Sequence, residues 1–239
     1  MGGLKAIFQG RHFDRSIILL CVRWYLAYGL SLRNLEEMIL ERGIRLDHST
    51  IHRWVVRFTS QLIEAFNRRK RSVLGKWHMD ETYIKVRGEW LYFYRAIDKA
   101  GATVEFYFSR TRDLPAAKRL MRKALGRHER PVQVTIDGSQ TNRTVILEAD
   151  VEARLKFSEG DIAGDPTKTR NSKYMNNRIE QDHRRIKRRV GPMPGFKSAS
   201  CADVILSGIE LVHMIRKRQL EPIDSGTLTL ADQFDSLAA

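Results

Sequence analysis

The sequence predicts an α/β chain in two parts, an all-helical segment followed by a mixed one in which strands come first and helices alternate with them. Three observations carry that reading. Apolar residues recur at helical spacing up to about residue 66. From Trp77 onward the texture changes to aromatic and β-branched residues in runs of strand length. Between the two lies "NRRKRSVLGK", residues 67–76, which reads as a basic linker.

The 239 residues suffice for one sizeable domain and a smaller one. The net charge of +14 points to a polyanionic partner, and the charge is clustered. Residues 1–76 hold 14 basic and 6 acidic side chains, net +8, and residues 168–189 hold 9 and 2, net +7. The two cysteines, Cys21 and Cys201, sit in helical patterns and form no disulfide framework or zinc motif. The run "IILLCV" is too short to span a bilayer and the N-terminus lacks a signal-type apolar core, so a cytoplasmic protein with no membrane partner is expected.

The first helix is "HFDRSIILLCVRWYLAYGL", with Phe13, Ile17, Leu20, Cys21, Trp24 and Tyr28 in phase. Ser31 caps the second, "LRNLEEMILERG", which stops at Gly43. Asp47 or Ser49 caps the third, "TIHRWVVRFTSQLIEAF". This is a trihelical helix-turn-helix pattern over residues 1–66, and His48, Ser49, His52, Arg53 and Arg57 are its outward candidates for DNA contact.

The strands "WHMDETYIKV", "EWLYFYRAID" and "TVEFYFS" are joined by turns at Arg87-Gly88 and "KAG", an antiparallel meander. A helix follows, with Asp113 as cap, Pro115 in its first turn and Gly126 as stop. "PVQVTIDGS" is a fourth strand ending at Asp137. Then come a helix over "TNRTVILEADVEARL", a polar loop "SEGDIAGDPTKTRNS", the basic stretch "KYMNNRIEQDHRRIKRRV", the breaker "GPMPG" and an amphipathic helix ending near Leu220. Residues 77–220 make the second domain, and the weakly patterned tail 221–239 carries no assigned role. Crossover handedness lays the fourth strand parallel to the first and beside it. That is a ribonuclease H-like arrangement.

It brings Asp80 on the first strand opposite Asp137 on the fourth, about one strand spacing of 4.8 Å apart. Two carboxylates that close repel, and a pair of divalent cations resolves the repulsion. Two hard metals are also what in-line attack on a phosphodiester uses, and a third carboxylate completes such a site. The basic stretch supplies two. On a helix, Asp182 falls near the stripe of Met175, Ile179, Ile186 and Val190, between Arg178 and Arg185. Glu180 lies among Lys173, Asn176, His183, Arg184 and Lys187, residues suited to phosphate. Spacing favours Glu180 as the third ligand and Asp182 as a structural ion pair, with the reverse left open. Lys173, His183, Arg184 and Lys187 are further candidates for DNA contact. His78, Trp90, Tyr92 and Tyr94 read as sheet packing.

"WHMDETYIKVRGEWLYFYRAID", "TIDGS" and "KYMNNRIEQDHRRIKRRVGPMPGFKS" resemble the DDE transposases of the IS6/IS26 insertion-sequence family. The N-terminal helices resemble that family's helix-turn-helix, so the similarity covers about residues 8–219. The resemblance implies a metal-binding catalytic triad of Asp80, Asp137 and Glu180 with two Mg²⁺ or Mn²⁺ ions. It implies binding to the terminal inverted repeats of the element, strand cleavage, and joining of the 3′-hydroxyl to target DNA by transesterification. Double-stranded element ends and target DNA are then the partners, and pairing two ends implies a homodimer or larger assembly. One departure stands out: 42 residues separate Asp137 from Glu180, more than the family's usual gap. The rival readings are a decayed copy that binds the repeats without catalysis, and a nuclease acting on RNA–DNA hybrids.

Overall fold

The computed structural model describes residues 13–155, 165–172, 176–193, 195–221 and 228–238. It divides into two compact units, Met1–Arg71 with Ile186–Ala239, and Ser72–Arg185. The expected boundaries differ from this, since residues 186–220 group with the N-terminal helices rather than with the strands.

The first unit is helical. α1 (Arg15–Ala27) starts where the Asp14 carboxylate accepts the Ser16 amide at 2.7 Å. α2 (Leu32–Leu40) opens on a capping box between Ser31 and Asn34 and closes through Gly43, whose φ of 74° only glycine adopts freely. α3 (His48–Arg68) is capped by Asp47 and buries Ile51, Trp54, Val55, Phe58 and Leu62. The helix Asn177–Val190, here α6, contributes its last residues. α7 (Ala199–Arg216) is capped by Ser198 and is buried on nearly every side from Ala202 to Ile215. At Gly208 it meets Leu26 and Thr59 so closely that a Cβ would lie 2.6 Å from a Leu26 methyl. A short α8 (Leu230–Ser236) occupies the tail, where no element was expected, with a capping box between Thr229 and Asp232 and Phe234 fully buried.

The end of α1 is closed from a distance. Arg189 Nε donates to Leu26 O at 3.1 Å and Arg216 Nη2 to Ala27 O at 3.2 Å. Each guanidinium also lies over a tyrosine ring, Tyr25 at 5.3 Å and Tyr28 at 5.9 Å. Cations are the favourable partners of carbonyls at a helix C-terminus.

The second unit holds a five-stranded sheet in the order β3-β2-β1-β4-β5. β1 (Lys76–Val86), β2 (Glu89–Asp98) and β3 (Thr103–Ser109) form the meander. Arg87 and Gly88 both have positive φ, 51° and 89°, as a tight two-residue hairpin turn requires. α4 (Leu114–Leu125) leads to β4 (Gln133–Ile136), which is parallel to β1. α5 (Gln140–Leu155) follows, then β5 (Lys168–Asn171), parallel to β4. Meander, crossover helix and parallel fourth strand beside the first make the ribonuclease H-like fold that the element order predicts. β5 is an addition to that expectation, formed by part of the supposed loop. Trp77, Met79, Tyr94, Ala96, Val134 and Ile136 pack against Ala117, Leu120, Met121, Val145 and Ile146 of α4 and α5.

The other face of the sheet takes α6. Asn176 Nδ2 donates to Met79 O at 3.4 Å, Arg178 donates to Lys99 O, and Asp182 pairs with Arg95. Among the described residues no helix is long and apolar enough to cross a membrane.

Candidate active site

Pairing of β1 with β4 runs Lys76 to Gln133, Trp77 to Val134 and His78 to Thr135. Continued by two residues, that register sets Asp80 level with Asp137. Asp137 stands just past the end of β4, where its Oδ1 accepts the Ser139 amide at 3.1 Å. Glu180 is exposed in the first turn of α6. Three residues on, and on the same side of that helix, His183 Nε2 lies 3.4 Å from Asp80 Oδ2. The ligand-type cluster whose donor atoms all fall within 4.8 Å of one another, among the described residues, is Glu36, Asp47 and His48. Asp80, Asp137 and Glu180 stand further apart than that.

Behind Asp80 is a buried charge network. Arg95 is directly opposite Asp80 across the β1–β2 ladder and fully buried. Its Nη2 donates to Asp182 Oδ2 at 2.5 Å, and its Nη1 lies 3.4 Å from His183 Nδ1. Asp182 is thus an ion-pair residue, as expected, and it pairs with Arg95, a partner the sequence reading had not named. Alternation along β1 turns Glu81 to the opposite face. There Arg112 donates to Glu81 Oε1 at 2.5 Å and Asn142 Nδ2 to Glu81 Oε2 at 3.5 Å. Burial pushes the Glu81 carboxyl up from its ordinary value, with Arg112 opposing. Arg112 is half-exposed and close enough to Asp137 to feel its charge.

The chain matches the family model described as the DDE domain, DDE_Tnp_IS240, over residues 75–219. It is 33% identical, over 88% of its length and 89% of the relative, to the transposase for insertion sequence-like element IS431mec of Staphylococcus aureus strain Mu50. The protein belongs to the IS6 family of DDE transposases. The transposase for insertion sequence element IS257 in transposon Tn4003, also of Staphylococcus aureus, is 32% identical over the same shares of the two chains. Among solved structures, the HTLV-2 integrase catalytic core domain in complex with magnesium is 14% identical with a TM-score of 0.37, covering 49% of this chain and 71% of that one. As a DDE transposase the chain is a polynucleotidyl transferase.

The transposase places its expected DNA contacts unevenly. Ser49, Arg53, Arg57, Arg184 and Lys187 are exposed. His48 is half-buried with its Nδ1 2.9 Å from Glu36 and 3.1 Å from Asp47. His52, expected outward from helix phase, is half-buried. Its Nε2 lies 3.3 Å from Cys201 Sγ, and burial, helped by Lys197, holds its pKa below the usual value. His183 is buried against Asp80 rather than open to phosphate. Lys173 lies outside the described residues. Trp90, expected in the sheet packing, is instead exposed, edge-on to Tyr83 at 6.5 Å.

Sequence reasoning missed Arg95 and Arg112. Arg95 had a signal: a two-residue Arg87-Gly88 turn pairs Val86 with Glu89 and therefore Asp80 with Arg95. An arginine inside an otherwise apolar strand needs a buried partner.

Proposed function

We propose that the transposase binds the terminal inverted repeats of its insertion sequence, cleaves at the element ends, and joins the freed 3′-hydroxyl to target DNA. Asp80, Asp137 and Glu180 are the catalytic carboxylates in this reading, and the observation that carries it is the β1–β4 register that levels Asp80 with Asp137. The donor set fits hard divalent cations: oxygen ligands, with neither cysteine nor a histidine cluster beside them. Glu180 is exposed in the first turn of α6, one turn before His183, whose ring meets Asp80. Two bound Mg²⁺ or Mn²⁺ ions would activate the attacking water or 3′-hydroxyl and steady the leaving oxygen.

The chain's own residues supply the rest. The Arg95–Asp182 pair fixes α6 on the sheet and so sets where Glu180 stands. Arg112, bound to Glu81 along one edge and to Tyr83 Oη through Nη1, adds positive charge that reaches Asp137. Arg184 and Lys187 meet the DNA backbone from α6. Ser49, Arg53 and Arg57 on α3 read the repeats in a helix-turn-helix manner. Two ends must be held together for joining, so the working form is a homodimer or larger.

The test is strand cleavage and joining on a duplex carrying the repeats that flank the gene. Mg²⁺ or Mn²⁺ supports both steps, Ca²⁺ supports binding with little chemistry, and EDTA stops the reaction. Undiminished cleavage in EDTA would sink the metal assignment. Repeat binding without any cleavage in Mn²⁺ would favour the non-catalytic reading, whose motive is the 42-residue separation of Asp137 and Glu180. Part of that separation is β5, a paired strand.

A further inference from the structure

We infer that His183 is the positioning residue for Asp80, its ring held by Arg95 through Nδ1 so that Nε2 faces the Asp80 carboxylate. The inference rests on Asp80 being a metal ligand and adds to that reading the group that orients it.

A guanidinium has donors only. Arg95 Nη1 lies 3.4 Å from His183 Nδ1, which makes Nδ1 the accepting side of that contact. The other side of the ring faces the site, with Nε2 3.4 Å from Asp80 Oδ2. Arg95 is itself fixed by Asp182 at 2.5 Å. Asp182 and His183 are consecutive on α6, so one helix delivers both the anchor of the arginine and the ring that the arginine orients. Arg95 reaches them from the strand position opposite Asp80, which closes the circuit around that carboxylate.

The burial of His183, 5% exposed, removes it from the surface that could grip DNA phosphate. A contact of 3.4 Å is long for a formed hydrogen bond, and contacts of this kind shorten when a catalytic site is loaded. Donation to Oδ2 fixes the rotation of the carboxylate and leaves Oδ1 to a cation. Partners at one remove from a metal govern its affinity in this way, typically by roughly 10- to 100-fold.

The experiment measures Mn²⁺ affinity by calorimetry on the full chain without DNA, with repeat binding and circular dichroism in parallel. His183→Ala weakens Mn²⁺ binding by roughly 10- to 100-fold, with repeat affinity and its salt dependence retained. His183→Gln recovers most of the loss, because its amide nitrogen falls near the place of Nε2. His183→Asn does not, because its amide falls near Nδ1, against Arg95. If the alanine variant fails to fold, the contrast between Gln and Asn decides. Wild-type Mn²⁺ affinity in all three, beside a loss in Asp80→Asn, overturns the inference and leaves Asp80 as a ligand. Wild-type Mn²⁺ affinity in Asp80→Asn removes the ligand assignment itself. A loss of repeat affinity with a shallower salt slope and unchanged Mn²⁺ binding makes His183 a phosphate contact, which also overturns it.

Discussion

Glu180 and Asp182 are two residues apart on α6 and live in opposite surroundings. Glu180 is exposed, whereas Asp182 is 7% exposed and bound to a guanidinium with no exposure at all. Glu180→Gln is therefore expected to abolish cleavage and joining while repeat binding stays intact or strengthens slightly, since one negative charge leaves the face proposed to meet phosphate. Asp182→Asn withdraws the carboxylate from a buried arginine, and breaking such a pair costs about 3–5 kcal/mol. The loss appears in urea unfolding, and whatever protein folds keeps some metal-dependent cleavage. A folded, active Glu180→Gln beside a folded, inactive Asp182→Asn would reverse the two assignments. Helix phase alone separates these acids, because the apolar stripe runs next to Asp182. It cannot name Arg95, whose contact spans 87 residues. That took the register of the β1–β2 turn, which is a property of two strands together.

At the scale of elements, the legible parts were those with strong periodicity or a strong stop. The meander, α4 and β4 are of this kind. β5 was not, because "KTRN" has no apolar alternation and it pairs with β4 at the sheet edge. α8 had a readable cue in Thr229 and Asp232, the spacing of a capping box. α7 reads as amphipathic in the sequence but is buried almost all round, and it comes very close to its neighbours at Gly208. An added Cβ there meets both Leu26 methyls, at 2.6 and 2.8 Å, and Thr59 Cγ2 at 2.9 Å. Both neighbours are buried and have nowhere to turn. Gly208→Ala is expected to destabilise by about 1–3 kcal/mol through overpacking, read as a lower urea midpoint at unchanged slope. An unchanged midpoint would mean that the three helices can slide apart at no cost.

At the scale of the whole molecule, a histidine in each unit links stability to acid. Burial depresses His52 and His78 below their ordinary value, so the fold favours both rings neutral. The unfolded chain takes up the protons first, near pH 6.5, so stability is full above that value and declines as pH falls through it toward the folded values. The unfolding midpoint should drop between pH 7.5 and 5.5, and less steeply in the double variant His52→Asn, His78→Asn. An identical slope in that variant would assign the acid response elsewhere. The division into units was the least legible feature, since periodicity tells that a helix buries one side but not against what. Arg189 and Arg216 cap the carbonyls of Leu26 and Ala27 from 163 and 189 residues away, and α7 fills the space between α1 and α3. On the ribosome the first helix therefore emerges long before α7 and the arginines that close its end. A nascent chain must carry uncovered apolar faces until residue 216 has left the tunnel. A premature stop before 199 should leave the N-terminal helices unable to complete their packing, so a fragment of residues 1–71 made alone should aggregate or be degraded, and co-expression of 186–239 should rescue it.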